Sequence, residues 1–514
     1  MSMAIPASAL SARLCLDGNR LRRFGIDTGA EHVVYLRADS PVCHSEGFGS
    51  HSRLELRLGT RRMLATLNIV HGDMLGVDEV GLSESAWHSL EPGHDDRVVL
   101  AHPPSVDSLA SVRAKIFGKT LTAAELHDIV RDIVAHRYSN IELAAFITAG
   151  CTDHFGLDEV IALTRAMVDT GTHLHWSQPM VIDKHCIGGL AGNRTTPIVV
   201  AIATAMGLVM PKTSSRAITS PAGTADTMAM LAPVDLDEAQ MRHAVNSTGG
   251  CIVWGGSMNM APADDILIRV ERALDIDSVG QMVASVLSKK VAAGSTHVVI
   301  DIPIGPTAKV RDAIQAQSLA HLLMQVGHAL GLQLQVLLSD GTQPVGRGIG
   351  PALEAHDVLA VLQTRNDAPT DLRQHALQVA AAVLELGGAA PADRALQAAT
   401  QCLDSGRAWA QFQAICAAQG GMRTPGVAAY RQPVTAAHAG HVVGIDNRRL
   451  SRAAKLAGAP NSPLAGLTLE VHLGDVVTSG QPLFTLHAQS PGELAYAMEY
   501  VSRHLHIVDV ETSA

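Results

Sequence analysis

Lys184, His185 and Cys186 stand directly before Gly188, Gly189 and Gly192 in the stretch KHCIGGLAGN, residues 184–193. A cation, an imidazole and a thiol beside small residues could hold an anion, donate a hydrogen bond or attack a carbon. Glycine there removes side-chain bulk and permits backbone angles that other residues avoid, so something is brought close to this backbone. A second stretch, TSSRAITSPAGTAD (213–226), supplies the hydroxyls of Thr213, Ser214, Ser215, Thr219, Ser220 and Thr224 and the guanidinium of Arg216. Such donors make charge-assisted hydrogen bonds to anions. A third glycine-bearing loop, PVGRGIGP (344–351), only mimics a dinucleotide loop in shortened form. No GxxxxGK(S/T) occurs and the GxGxxG spacing is missing, which argues against ATPase and dehydrogenase chemistry.

These loops need elements to position them. The strand-like run MVID precedes the first and the helix-like TTPIVVAIATAMG follows it; LVMP and TMAML flank the second in the same order. Consecutive strand-to-helix loops of one βαβ unit emerge at the same end of a parallel sheet, where such folds bind ligands. A helix N-terminus there presents unpaired N–H groups and a positive dipole end. Further along, Ser285 and Lys289 stand at i and i+4 on a helix ending SVLSKK, whereas Lys290 is expected to point elsewhere, into solvent. Cys186 is expected to serve as a small loop residue rather than a nucleophile. The HLH at 173–175 has no carboxylate or cysteine at ligand spacing, so no metal site is expected.

Four regions frame these motifs. Residues 1–100 read as a β-rich N-terminal domain, with HVVYLRA, SRLELRLG and RRMLATLNIV as strands. Residues 103–178 read as a small helical domain, to which a helical segment at about 264–290 returns. Thr122 and Ser139, followed three residues later by Glu125 and Glu142, fit capping boxes. Residues 179–425 alternate apolar strands and helices, the pattern of a large α/β domain with a mostly parallel sheet. Residues 428–514 return to strands and turns as an α+β domain. The expected class is α/β multidomain.

Composition narrows the partners. The chain has 514 residues, a formal charge of −10, and 16 aromatics in Phe 7, Trp 4 and Tyr 5. Neither the charge nor the aromatic supply suits a nucleic-acid polymer, so any anion site must be a local pocket. Seven scattered cysteines without a CxxC pair suit reduced thiols in the cytoplasm. No apolar run reaches the length of a membrane helix, and the N-terminus lacks the order of a signal peptide.

The sequence resembles the thymidine phosphorylase and AMP phosphorylase family from about residue 103 to 505, in its long form with an extra N-terminal domain. The resemblance is carried by DKHCIGG, SSRAITSPAGTAD, SVLSKK, RYSNIELAAFITA and GDVVTSGQPLFTLHA. It implies a pentosyltransferase that uses phosphate to displace the base of a nucleoside, with thymidine the nominal substrate and a sugar 1-phosphate the product. The partners implied are small molecules, a nucleoside or nucleotide and phosphate, acting on a homodimer or larger homo-oligomer without a cofactor. By resemblance, Lys184, Ser214 and Thr224 hold the phosphate beside Gly188 and Gly189, while His185, Arg269, Ser285 and Lys289 face the base. SSRAITSPAGTAD is the AMP phosphorylase form of its motif. On that branch Ser215, Arg216, Ala217, Ile218, Thr219 and Ser220, with Gly189, Thr224, Ser285 and Lys309, bind a nucleoside 5′-monophosphate, and Asp277 protonates the leaving base. Two departures stand out: Cys186 where serine is usual, and Ala229 where both branches usually carry glutamate.

Overall fold

The computed structural model describes residues 18–29, 31–151, 155–217, 220–274, 276, 278–504 and 506–512. They form two compact units, one running to Arg113 and including Asp132–Leu143, the other comprising Ala114–Arg131 and the chain from Ala144 onward.

The first unit is built on a closed six-stranded barrel, in the order Asn19–Arg23, Glu79–Leu82, Val33–Arg37, Arg61–Val70, Arg53–Leu58 and Arg97–Ala101. The last strand returns to the first through Asn19↔Val98. Val34, Leu36, Leu54, Leu56, Leu67, Val80 and Leu82 fill its interior. Every second side chain of these strands faces that closed core. In this unit Ser139 and Glu142 form the expected capping box, Ser139 N donating to Glu142 Oε2 at 2.6 Å and Glu142 N to Ser139 Oγ at 3.3 Å.

The second unit carries the site. Its parallel strands are Gln333–Asp340, His297–Ile304 and Ile182–Cys186, in that order, and a further parallel pair, Met210–Ser214 with Gly250–Trp254. The two sets meet where Ile182 N donates to Val209 O at 2.9 Å. The helix Thr196–Ala205 is buried from Thr196 through Thr204, as its apolar run requires in a sheet covered on its faces. Ile198, Val199 and Ile202 from it share a core with Met228, Ile252, Val379 and Phe412.

The helical part shows the second capping box, Thr122 N to Glu125 Oε2 at 2.9 Å and Glu125 N to Thr122 Oγ1 at 3.3 Å. It is pinned by a buried ion pair, Lys115 Nζ to Glu159 Oε1 at 2.6 Å. The returning helix Val279–Ala292 packs against Leu157–Asp169, and Val160, Val283 and Leu287 share one core with Val298 and Ile300 of the sheet. That core fixes the helix carrying Lys289 against the strands carrying the first loop.

The C-terminal part is α+β, with antiparallel strands Gly466–Leu469, Pro482–Ala488 and Tyr430–Thr435 and helices Asn447–Leu456 and Pro491–Arg503. The third glycine loop joins this sheet, since Gly348–Ile349 pairs with Thr468 and Leu467.

Candidate functional site

The strand Ile182–Cys186 ends in the first loop and the strand Met210–Ser214 in the second, and one pocket opens between them. Among the described residues its wall carries Lys184, Lys212, Lys289, Lys290, Lys309, Arg194 and Arg216 against one carboxylate, Asp265. A chain of net charge −10 has therefore gathered cations locally. Such a wall attracts anions.

The glycines of the first loop answer to close packing of the backbone. Gly189 has φ +81°, and a Cβ there would lie 2.4 Å from the backbone nitrogen of Lys309. Gly192, at φ +67°, would place a Cβ 2.4 Å from Val345 O. Each glycine lets a neighbouring loop touch this one, bringing Lys309 to the pocket in the first case.

Lys184 is 2% exposed, and its Nζ donates to Thr195 Oγ1 at 2.7 Å. Burial lowers its basicity, with Asp301 acting the other way. Ser214 Oγ is buried with no hydrogen-bond partner among the described residues. Thr224 Oγ1 accepts from Arg194 Nη1 at 2.9 Å. His185 sits among Lys290, Lys212, Lys289 and Lys184; burial, reinforced by these charges, drives its pKa well below that of free imidazole. Its ring is therefore neutral, a hydrogen-bond donor rather than a carrier of charge.

Lys289 lines the pocket and pairs with Asp264 Oδ2 at 2.6 Å. Burial works against its charge, but Asp264 and then Asp265 outweigh it and raise its pKa. Lys290 corrects an expectation: it is 2% exposed and bonds Asp183 Oδ2 at 2.7 Å. The helix packs so that Val286, Lys289 and Lys290, spaced i, i+3 and i+4, face the pocket. Ser285, one position out of that register, is not on the wall. Arg269 is also off the wall, one turn beyond Asp265 on the exposed side of the helix Pro262–Leu274.

Of the run from Ser215 to Ser220 expected to bind a nucleotide, Ser215, Arg216 and Ser220 reach the pocket wall. Arg216 lies over the Trp254 ring at 4.9 Å and bonds Asp235 Oδ1 at 3.0 Å. Ala217 is off the wall, its N–H held by Asp226 Oδ2 at 2.6 Å. Ile218, Thr219 and Asp277 lie outside the described residues. Burial, then Asp301, pushes the Cys186 thiol well up, while Asn193 Nδ2 donates to its sulfur at 3.3 Å.

The third loop forms no part of the pocket wall. Its backbone is instead tied by carboxylates, Asp357 Oδ2 accepting from Arg347 N and Gly348 N, both at 2.7 Å, and Asp371 from Gly346 N at 2.8 Å. Sequence reasoning missed Arg194 and Lys212. Each had a signal: a cation next to a helix start in NRTTP, and a lysine inside the apolar strand MPKTS.

A parallel sheet with a cationic pocket at its carboxyl ends, joined to a helical bundle, matches a defined class. The description "Glycosyl transferase family, helical bundle domain" fits residues 110–171, and "Glycosyl transferase family, a/b domain" fits residues 178–409. Residues 441–508 match "Pyrimidine nucleoside phosphorylase C-terminal domain". The fold is similar to that of anthranilate phosphoribosyltransferase from Thermus thermophilus, with TM-score 0.50 and 19% identity over 60% of this chain and 99% of that one. The chain is a pentosyltransferase.

Relatives narrow the class. A protein of Polaromonas sp. (strain JS666 / ATCC BAA-500) is 59% identical over 96% of both chains, and one of Tolumonas auensis (strain DSM 9187 / NBRC 110442 / TA 4) is 55% identical over 98% of this chain and 100% of its own. Both carry the name "Putative thymidine phosphorylase". The chain belongs to the thymidine phosphorylase family.

Proposed function

We propose that this chain catalyses phosphorolysis of a nucleoside N-glycosidic bond, nominally thymidine + phosphate = thymine + 2-deoxy-α-D-ribose 1-phosphate. The carrying observation is the buried Ser214 hydroxyl, unpartnered among the described residues, in the same pocket as Lys184 and Thr224. Buried polar groups are ordinarily hydrogen-bonded, so a free one in a cationic pocket suits an anionic ligand. The names of the relatives support a nucleoside over the 5′-monophosphate alternative.

In this reading Lys184, Ser214, Thr224 and the Gly188–Gly189 backbone hold phosphate, one oxygen of which bonds to C1′ as the C1′–N1 bond breaks. The bonding pair leaves with the base. Lys289 and the neutral His185 donate to the base as it gains negative charge, and the fixed lysines stabilise that charge at little reorganisation cost. Phosphate-dependent base release across thymidine, uridine, AMP, CMP and GMP tests this. Release from nucleosides supports it; silence from folded protein, or release from monophosphates alone, overturns it.

The homo-oligomer implied by the resemblance has support in Ile116 and Phe117, 52% and 89% exposed, and sedimentation velocity tests it. A cytoplasmic location is consistent with the free thiols of Cys43, Cys186, Cys251, Cys402 and Cys416. No helix among the described residues is long and apolar enough to cross a membrane.

A further inference from the structure

Arg194 stands two residues before the helix Thr196–Ala205, and its guanidinium reaches the second loop and the helix that follows the third. Nη1 donates to Thr224 Oγ1 at 2.9 Å and Nη2 to Ala222 O at 2.9 Å, both in the second loop. Nε donates to Glu354 Oε2 at 2.7 Å, on the helix that follows the third. Glu354 is 2% exposed and also accepts from Thr227 Oγ1 at 2.8 Å. The backbone adds to the same junction, with Asn193 N donating to Val345 O at 2.8 Å.

A hydroxyl has one proton and two lone pairs. Thr224 Oγ1 accepts from Arg194, and no bond donated by the Thr224 hydroxyl is found among the described residues. The arginine thus occupies one lone pair and leaves the proton available to an acceptor in the pocket. A lysine could not do the same, since a point charge on a flexible stem lacks the planar fork that meets three acceptors at once.

We propose that Arg194 is a positioning residue for phosphate: anchored by Glu354, it orients the Thr224 hydroxyl so that its proton points at the bound anion. This rests on the reading of Thr224 as a phosphate ligand. It also gives the third loop a task, which is to set Glu354 in place.

The test is steady-state phosphorolysis of thymidine by R194A, R194K, T224V and the double variant R194A/T224V, with KM measured separately for phosphate and nucleoside. Calorimetric binding of inorganic phosphate to the same proteins gives the phosphate readout without turnover. R194A, R194K and T224V should each weaken phosphate about tenfold or more, the loss of one hydrogen bond to a charged group, with the nucleoside KM within about twofold. The double variant should be no worse than the weaker single, because both act through one hydroxyl. Added guanidinium ion should restore part of the loss in R194A and none in the double variant. Additive losses, or equal rises in both KM values, would make Arg194 a general brace and overturn the inference. An effect of T224V without one of R194A or R194K overturns the inference alone. No effect of T224V on phosphate overturns the phosphate-site reading and the inference with it. Should R194A not fold, R194K and E354Q supply the same comparison.

Discussion

Lys290 Nζ lies 2.7 Å from Asp183 Oδ2, and Lys212 Nζ lies 3.3 Å from the other oxygen of the same carboxylate. All three groups are at most 5% exposed. One buried carboxylate therefore serves two buried ammonium groups, with Lys184 next to it in the chain. Below about pH 7, where Lys212 is charged, the floor of the pocket carries one more ammonium than carboxylate, which favours an anion above it.

Removing the shared carboxylate should be worse than removing one lysine. Asp183→Asn leaves Lys290, and at low pH Lys212 as well, without a counter-charge, at a cost of about 3–5 kcal/mol. Lys290→Met leaves a one-to-one pair of Asp183 with Lys212 and should cost clearly less. Thermal and urea midpoints of the two variants decide it. A Lys290→Met midpoint as low as that of Asp183→Asn would show that Lys290 is required for the carboxylate to stay buried.

Lys212 should couple anion binding to a proton. Burial, opposed by Asp183 and reinforced by Lys290 and Lys184, brings its amino group down to about 7. At pH 8 the empty protein thus holds Lys212 largely neutral. A bound anion stabilises the charged form and raises that pKa, so binding takes up a proton and affinity falls as pH rises above about 7. Sulfate, which does not titrate in this range, isolates the effect. Calorimetry at pH 8 in buffers of different ionisation enthalpy should show proton uptake in the parent protein and none in Lys212→Met.

What the sequence made legible was what it encodes locally. Both capping boxes were readable because Thr122 and Ser139 find their partners three residues away. The first two loops were readable because strand, glycine and hydroxyl patterns sit side by side in the chain. Arg194 was not, since the partners of its guanidinium are 28, 30 and 160 residues distant. Lys290 was misread for a related reason. Helical spacing orders side chains around an axis but does not say which face the fold buries, and the sheet buried the face bearing Lys289 and Lys290. The third loop only mimicked a dinucleotide loop in sequence, and its backbone serves a sheet pairing and two carboxylates.

His185 should work as a neutral donor. Burial and four neighbouring lysines hold its pKa well below 6.5, so its protonation adds no limb to the rate profile near neutrality. His185→Gln keeps a neutral N–H donor and should retain more activity than His185→Ala, with the same pH profile as the parent. Imidazole NMR signals should show the neutral ring at pH 6. A charged ring at that pH, or a limb near 6.5 that disappears in His185→Gln, would reverse the assignment.

Ser214→Ala separates binding from stability. The hydroxyl is buried without a partner among the described residues, so in the empty protein it contributes desolvation cost and no hydrogen bond. Its removal should leave the thermal midpoint unchanged or raise it. If the hydroxyl donates to phosphate, the same change forfeits a hydrogen bond to a charged group, about 1.5–3 kcal/mol. The KM for phosphate should then rise about tenfold or more, with the nucleoside KM nearly constant. A merely structural serine would show the opposite pattern, a lower midpoint with phosphate affinity intact. Measuring both quantities on one variant therefore decides whether the strand end at Ser214 faces the attacking anion.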